Sequence, residues 1–217
     1  KNIVKKPKRP LTAIIGGAKI SGKIDVITSL YDFVDNLIIG GGMAYTFIKA
    51  MGGDIGNSIF EKESLPIANT ILEEVEKRTV NLILPVDSVN AVSIKNNATS
   101  NISNIKEIPK NYIGLDIGPK SILLFSNIIS NSKTIIWNGP MGVFEYDAFS
   151  LGTKKVADAI CLCTNNGGFS LVGGGDSVAA IKKFNLTKKI SYLSTGGGAM
   201  LKYLEGGDLA GVNALDC

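Results

Sequence analysis

The sequence contains no histidine, and this absence excludes several kinds of site. Without an imidazole, the chain cannot itself supply a Ser-His-Asp triad, a histidine metal site or a histidine acid–base step. Its apolar runs are all shorter than the roughly 18 residues that a membrane-spanning helix needs. With a mean hydropathy of +0.21, the sequence predicts a globular protein without a membrane as partner.

Cysteine and net charge are also low. The three cysteines, Cys161, Cys163 and Cys217, have no metal-like spacing, which favours unpaired thiols in a reducing, cytoplasmic compartment. The net charge is only +4, and the one dense basic run covers residues 5–9. Because no aromatic residues interleave this run, a solvated segment is favoured over a nucleic-acid arm. We expect a monomer that binds no nucleic acid.

Glycine is abundant, and most of its 25 residues stand in clusters that follow short apolar runs. These runs are continuous rather than alternating, and most are separated by segments with helical spacing, which is typical of a parallel sheet covered on both faces. The sequence therefore predicts an α/β fold: a three-layer, doubly wound, six-stranded parallel sheet with helices on both faces. The six predicted strands are residues 11–15, 37–39, 82–86, 134–137, 169–172 and 190–193. Residues 96–111 are predicted to be a polar surface loop or hairpin.

Ligands of parallel sheets bind outside the carboxyl ends of the strands, where these glycine clusters lie. The run Gly173-Gly174-Gly175-Asp176-Ser177 follows the fifth predicted strand and opens a helix. Asp176 then has two interpretations: a helix N-cap, or a ligand of a Mg²⁺ ion that phosphate oxygens also bind. The two do not exclude each other, and the position at the sheet edge favours the metal.

Two lysines follow the first predicted strand. The stretch from Gly17 to Ile24 nearly matches the P-loop spacing, but Ile24 has no hydroxyl for a magnesium ion, so a P-loop is disfavoured. Lys19 and Lys23 are four residues apart, which on a helix start places them on one face. They are either solvated or aimed at phosphates.

Two further glycine-containing stretches bear on the ligand. Gly40-Gly41-Gly42 lacks the G-x-G-x-x-G pattern, and no acid follows to hold a ribose, so a nicotinamide dinucleotide site is disfavoured. The stretch from Trp137 to Glu145 contains the only tryptophan and ends in an acid, which a simple turn does not explain.

Taken together, six ordered motifs resemble those of the phosphoglycerate kinase family, over nearly the whole chain from about Pro10 to Asp216. The motifs are residues 16–24, 39–44, 116–120, 137–145, 173–176 and 195–199. The resemblance is to the C-terminal, nucleotide-binding half of that two-domain enzyme. It implies a connector at 1–10, a nucleotide-binding domain at 11–204 and a tail at 205–217 that returns to a missing N-terminal domain.

The resemblance also implies a role for individual residues in reversible phosphoryl transfer between 1,3-bisphosphoglycerate and ADP, which gives 3-phosphoglycerate and ATP in glycolysis. Asp176 matches the Mg²⁺ ligand, and Lys19 matches the lysine that stabilises the transferring phosphoryl group. Gly196, Gly197 and Gly198 match the helix start that faces the same group. The implied nucleotide-binding residues are Gly17, Gly41, Gly42, Gly114 and Leu115 at the adenine, Glu145 at the ribose, and Lys23, Asn138, Gly174, Gly175 and Ser177 near the phosphates.

The chain departs from the family at Gly22, where an acid is common, and at Ser177, where threonine is usual. It begins with Lys1 rather than methionine, which suggests a piece of a longer protein. We expect the chain alone to bind MgADP or MgATP without turnover. The alternatives are a non-enzymatic nucleotide-binding module and an NAD-dependent oxidoreductase domain.

Overall fold

The computed structural model describes residues 7–194 and Gly196. The strands in this part of the chain are β1 (Leu11–Ile15), β2 (Asn36–Ile39), β3 (Asp54–Ile55), β4 (Asn81–Ile83), β5 (Asp87–Ala91), β6 (Ser100–Asn104), β7 (Glu107–Ile108), β8 (Ile113–Ile117), β9 (Thr134–Asn138), β10 (Phe169–Gly173) and β11 (Tyr192–Ser194). The helices are α1 (Ile24–Leu30), α2 (Met43–Ala50), α3 (Leu65–Glu76), α4 (Pro119–Ser130), α5 (Leu151–Asn165) and α6 (Gly175–Lys183).

The main sheet has six parallel strands in the order β11-β10-β9-β1-β2-β4. The predicted fold class is confirmed, since each predicted strand supplies one strand of this sheet. The chain adds strands outward from β1 to one edge, then returns to place β9 on the other side of β1. In such sheets the reversal opens a crevice between the two central strands, and ligands bind there.

Both faces of the sheet are buried, which explains why its strands are continuous apolar runs. In β1, Ala13 and Ile15 join the core under α1, α2 and α3, whereas Ile14 joins the core under α4, α5 and α6. Trp137 of β9 is fully buried in the second core. Successive residues of a strand point to opposite faces, so both sets must be apolar.

A second, antiparallel sheet with the order β6-β5-β8 was only partly predicted. The third predicted strand stops at Ile83 instead of Val86, and Pro85, which has no N–H for a ladder, separates β4 from β5. Residues 96–111 are neither a loop throughout nor a hairpin by themselves, because β6 pairs with β5 and β7 pairs with β3. β8 occupies a stretch for which no strand was predicted.

A buried carboxylate joins this small sheet to the helical layer. Asp87, at the start of β5, accepts hydrogen bonds from the backbone N–H groups of Lys120 (2.9 Å) and Ser121 (2.8 Å) and from the Ser121 hydroxyl (2.6 Å). It thereby satisfies N–H groups at the start of α4 that have no partner within the helix.

Several predicted segments lie outside the described residues: positions 1–6 of the connector, residues 197–204 at the end of the nucleotide-binding domain, and the tail at 205–217. Among the described helices, none combines the length and the apolar character needed to cross a membrane.

Candidate functional site

The candidate site lies where β1 and β9 end side by side. Ile15 pairs with Asn138 in the sheet register, and the two following turns touch. The N–H of Gly16 donates to the carbonyl of Asn138 (2.8 Å), and the N–H of Gly17 donates to that of Pro140 (3.0 Å). A Cβ on Gly16 or Gly139 would overlap the backbone of the opposite turn, so both positions require glycine. The predicted glycine clusters therefore form the floor of the crevice.

Lys23 closes the gap between these two turns from the side. Its ammonium donates to the carbonyl of Gly16 (2.5 Å) and to the backbone carbonyl (3.2 Å) and side-chain Oδ1 (2.8 Å) of Asn138. Burial lowers the pKa of Lys23 to about 8, although the negative charge of Asp176 acts in the opposite direction. The structure thus holds a cation at the centre of the crevice.

Lys19 and Lys23 do not share a helix face, so that prediction is wrong. The α-helix begins only at Ile24, and residues Ser21–Lys23 form a 3-10 turn before it. Lys23 turns inward, whereas Lys19 is exposed and has no hydrogen-bond partner among the described residues. The first lysine remains available to a ligand outside the crevice.

Asp176 stands at the second position of α6 and is exposed. The N-cap is Gly174, whose φ of +94° suits glycine, and no side chain caps this helix. The N-cap interpretation of Asp176 is therefore wrong. Its carboxylate nevertheless lies in the first turn, where the helix dipole favours negative charge, and it is close enough to Lys23 to affect its pKa.

The donor set at Asp176 fits a magnesium ion. Magnesium is commonly held by one or two carboxylates together with substrate phosphates and water. Among the described residues no group of three or more Asp, Glu, Cys or His side chains forms a complete protein cage. A metal at Asp176 would thus need oxygen ligands from a bound phosphate compound.

Ser177 and Asn138 connect α6 to the end of β9. The Ser177 hydroxyl oxygen is buried and accepts a hydrogen bond from the N–H of Gly139 (2.6 Å). The Asn138 side-chain amide donates to the carbonyl of Gly173 (3.1 Å). Ser177 therefore lies beneath the crevice, where it fixes the turn above it.

Gly17, Gly41 and Gly42 form one continuous backbone surface beside the crevice. Gly41 has a φ of +69°, and a Cβ there would meet the backbone of Gly17 at 2.5 Å. Next to Gly42 lies Ile59, which has 47% of its surface exposed, and the following residue, Phe60, is 37% exposed. An exposed apolar wall against bare backbone suits a flat aromatic ring, and the sequence analysis had not identified either side chain.

Gly114 and Leu115 lie on β8 of the antiparallel sheet, and both are buried. The N–H of Gly114 donates to the Ser58 hydroxyl (2.8 Å), just before Ile59. A Cβ on Gly114 would overlap Tyr45 of α2, so glycine is required here as well. The structure connects Gly114 to Gly41 and Gly42 through α2 rather than by direct contact.

Glu61, which the sequence analysis also missed, connects this apolar wall to the lysine turn. Its carboxylate accepts hydrogen bonds from the N–H (2.9 Å) and hydroxyl (2.6 Å) of Ser21. Burial acts to raise the pKa of Glu61, but the bonds from Ser21 and the charge of Lys19 outweigh it and hold the pKa below its usual value. Gly22 stands where the family that the sequence resembles often has an acid. In this chain Glu61 supplies a carboxylate to the same turn.

Residues 139–147, here called the strap, run from β9 across the crevice to the 3-10 turn at Asp147–Phe149. The buried Thr153 hydroxyl accepts hydrogen bonds from the N–H groups of Met141 and Gly142, both at 3.1 Å. The N–H of Val143 donates to the carbonyl of Leu115 (2.9 Å). Trp137 directs its indole N–H to the Gly139 carbonyl (2.7 Å), which explains the single tryptophan as an internal support of the strap.

A buried acid lies under the strap. Asp116 accepts hydrogen bonds from the N–H groups of Gly152 (2.7 Å) and Ile117 (2.9 Å), and burial raises its pKa to about 7. A Cβ on Gly142 or Gly152 would overlap its carboxylate. Glu145, two residues before the end of the strap, is exposed. The sequence analysis assigned no role to Asp116, which the structure identifies as an internal support.

The last predicted residues fall at the limit of the described chain. Gly174 packs against the side chain of Asn138, and Gly175 is exposed at the start of α6. Gly196 is exposed and has no regular secondary structure, while Gly197 and Gly198 lie outside the described residues. The roles assigned to these glycines stay predictions.

Comparison with known proteins gives a consistent result. A family model described as phosphoglycerate kinase matches residues 1–207. The phosphoglycerate kinase of Porphyromonas gingivalis is 53% identical over 208 residues, which are 96% of this chain and 50% of that protein. That of Thermosipho africanus is 48% identical over 210 residues, 96% of this chain and 52% of that protein. The chain thus spans about half the length of the curated relatives it matches.

Two solved structures are similar to the whole fold. The phosphoglycerate kinase from Coxiella burnetii superposes with a TM-score of 0.91 at 43% identity, covering 95% of this chain and 53% of that one. The phosphoglycerate kinase from Pyrococcus horikoshii OT3 gives a TM-score of 0.81 at 28% identity, covering 99% and 54%.

The electrostatic link between Lys23 and Asp176 can be tested without a ligand. We expect the Lys23 amine to titrate near pH 8 in NMR spectra of the chain labelled with ¹³C at lysine Cε. Asp176→Asn removes a charge that favours the protonated amine, so this pKa should fall further. The matched control Glu76→Gln removes an exposed acid on α3 and should leave the pKa of Lys23 unchanged. Titration of Lys23 near 10.5 in the unaltered chain would contradict the geometry.

Proposed function

Because the chain belongs to the phosphoglycerate kinase family, we propose that it is the C-terminal, nucleotide-binding half of such an enzyme. The complete protein would transfer a phosphoryl group between 1,3-bisphosphoglycerate and ADP, giving 3-phosphoglycerate and ATP in glycolysis. The names of the relatives support the reaction. The half-length match supports a division in which another part of the protein binds the phosphoglycerate.

One observation carries the assignment of this half: the Lys23 ammonium is held at the switch point of the sheet, within electrostatic reach of Asp176. A cation and a carboxylate within electrostatic reach of each other in a glycine-lined crevice suit the phosphates of a nucleotide with a bound magnesium ion. The Mg²⁺ ion, held by Asp176, would neutralise phosphate charge. Lys23 and Asn138 would bind and orient the phosphates from the other side.

The other residues divide by position along the crevice. The base would lie on Gly17, Gly41 and Gly42, with Ile59 and Phe60 as an apolar wall and with Gly114 and Leu115 behind. The carboxylate of Glu145 would accept hydrogen bonds from the ribose hydroxyls. Gly174 and Gly175 would bring the first turn of α6 to the phosphates, while Ser177 holds the Gly139 turn in place from below.

Lys19 would act on the transferring phosphoryl group. Catalysis of phosphoryl transfer depends chiefly on positioning the reactants and stabilising negative charge, without a covalent intermediate. Lys19 is exposed, so its ammonium can approach a phosphoryl group that lies between this half and a facing one. Gly196, Gly197 and Gly198 would present backbone N–H groups to the same phosphoryl group.

The strand order supports one alternative, an NAD-dependent oxidoreductase domain, since dinucleotide-binding domains use the same topology. The residues after the strands disfavour it. Gly16-Gly17-Ala18 follows β1 without the dinucleotide fingerprint, and β2 is followed by Gly40 where an acid would bind the ribose. A non-enzymatic nucleotide-binding module would share the site and differ only in turnover.

Calorimetric titration tests the binding site. We expect the chain to bind ADP more tightly with Mg²⁺ than with EDTA, and to bind NAD more weakly than ADP. Asp176→Asn should weaken MgADP binding by about tenfold or more, because it removes a charge that faces a divalent ion. Without Mg²⁺ the same change should leave ADP binding equal or tighter, since the carboxylate then repels the phosphates.

Glu76→Gln serves as the control for loss of a negative charge and should match the unaltered chain in both conditions. A preference for NAD, or an Asp176→Asn variant that keeps its full response to Mg²⁺, would contradict the proposed function.

If the two substrates bind to different halves of the complete protein, this chain alone should not catalyse the reaction. We expect the purified chain to form no ATP from 1,3-bisphosphoglycerate and MgADP, measured by luciferase luminescence, under conditions in which it binds MgADP. The complete enzyme is the positive control. Turnover by the chain alone would show that it does not need a second half.

A further inference from the structure

Lys183 ends the same helix that carries Asp176. The two residues are seven positions apart, so they lie about two turns from each other on one side of α6. Asp176 faces the phosphate end of the crevice, whereas Lys183 contacts the strap. Its ammonium donates to the carbonyls of Phe144 (2.9 Å) and Glu145 (3.2 Å) and to the Asp147 carboxylate (2.7 Å).

These contacts hold the part of the strap around Glu145, between the supports at residues 141–143 and a hydrogen bond from the Asp147 N–H to the Asn96 side-chain oxygen (2.8 Å). Thr153 and Leu115 bind the strap at residues 141–143, on the near side of Glu145. In the part of the chain that the structure describes, Lys183 is the donor to the carbonyls of both Phe144 and Glu145. Lys183 therefore connects α6 directly to the backbone that carries the Glu145 carboxylate.

We propose that Lys183 is a positioning residue that sets the distance between Glu145 and Asp176, and thereby the recognition of the nucleotide's ribose. One helix then fixes two points of the ligand: Asp176 at its first turn for the phosphates, and Lys183 at its last turn for the residue that faces the ribose hydroxyls. This proposal rests on the proposed function, because it assumes that Glu145 binds the ribose of ADP.

The competing explanation is an ordinary surface ion pair between Lys183 and Asp147. Asp147 keeps 83% of its side chain exposed, and exposed pairs contribute little. The two explanations differ in which contact matters. If the hydrogen bonds from Lys183 to the strap carbonyls position Glu145, loss of Lys183 weakens ribose recognition, whereas loss of the Asp147 charge does not.

Binding of MgADP and of its 2′,3′-dideoxy analogue, measured by calorimetry, separates these effects. The ratio of the two dissociation constants measures how much the ribose hydroxyls contribute. We expect the unaltered chain to bind the dideoxy analogue about tenfold more weakly or worse, as for hydrogen bonds to a charged group. Lys183→Met should reduce this ratio to about threefold or less, while binding of the dideoxy analogue changes by less than about twofold.

Three variants serve as controls. Lys182→Met removes the same charge from the adjacent, exposed position and should keep the full ratio. Asp147→Asn removes the ion pair and should also keep it. In a Glu145→Gln background, Lys183→Met should have no further effect on the ratio, because both changes act on one contact.

Each outcome has a separate meaning. A chain that does not bind MgADP overturns the proposed function itself. Two other outcomes overturn the role of Lys183 and leave the proposed function intact. In one, Lys183→Met binds MgADP but keeps the ratio of dissociation constants of the unaltered chain. In the other, that ratio is already near one in the unaltered chain. If Lys183→Met fails to fold, Lys183→Gln, whose shorter side chain does not reach the carbonyls, is judged by the same ratio.

Discussion

The site depends on the contact between the ends of β1 and β9, which the Lys23 ammonium holds together. Gly16 and Gly139 bring the two backbones so close that the carbonyls of Gly16 and Asn138 converge on one point, where a single donor can bind both. Lys23 supplies it, and burial lowers its pKa to about 8 as a consequence. A positive charge is therefore fixed where the sheet opens its ligand crevice.

Buried polar side chains then hold the surrounding loops at set distances from this contact. Ser177 ties α6 to the Gly139 turn, Thr153 ties the strap to α5, and Asp116 lies between the strap and the start of α5. Because each such group is buried, its loss would leave backbone donors without partners, which is costly. The crevice is thus built largely before any ligand binds, so its dipoles and charges need little rearrangement on binding.

The sequence predicted the six main strands because each lies in a continuous apolar run, although the edge strands β4 and β11 are only partly buried. It did not predict their order, since that depends on which strands meet and not on any local pattern. The same limit applies to the site. Glycine clusters located the crevice, but the N-cap interpretation of Asp176 failed because Gly174 adopts the positive φ that ends the strand. Lys183 resembled any other lysine at a helix end until the fold brought it to residues 144–147, more than thirty positions away.

The most direct test of this account is a crystal structure of the chain with ADP and Mn²⁺ in place of Mg²⁺, in which anomalous scattering locates the metal. We expect one metal peak at the Asp176 carboxylate, with the phosphates beside Lys23 and the base against Gly41 and Gly42. A metal peak away from Asp176, or a nucleotide in the separate cavity lined by Asp158, Cys161 and Lys189, would contradict it.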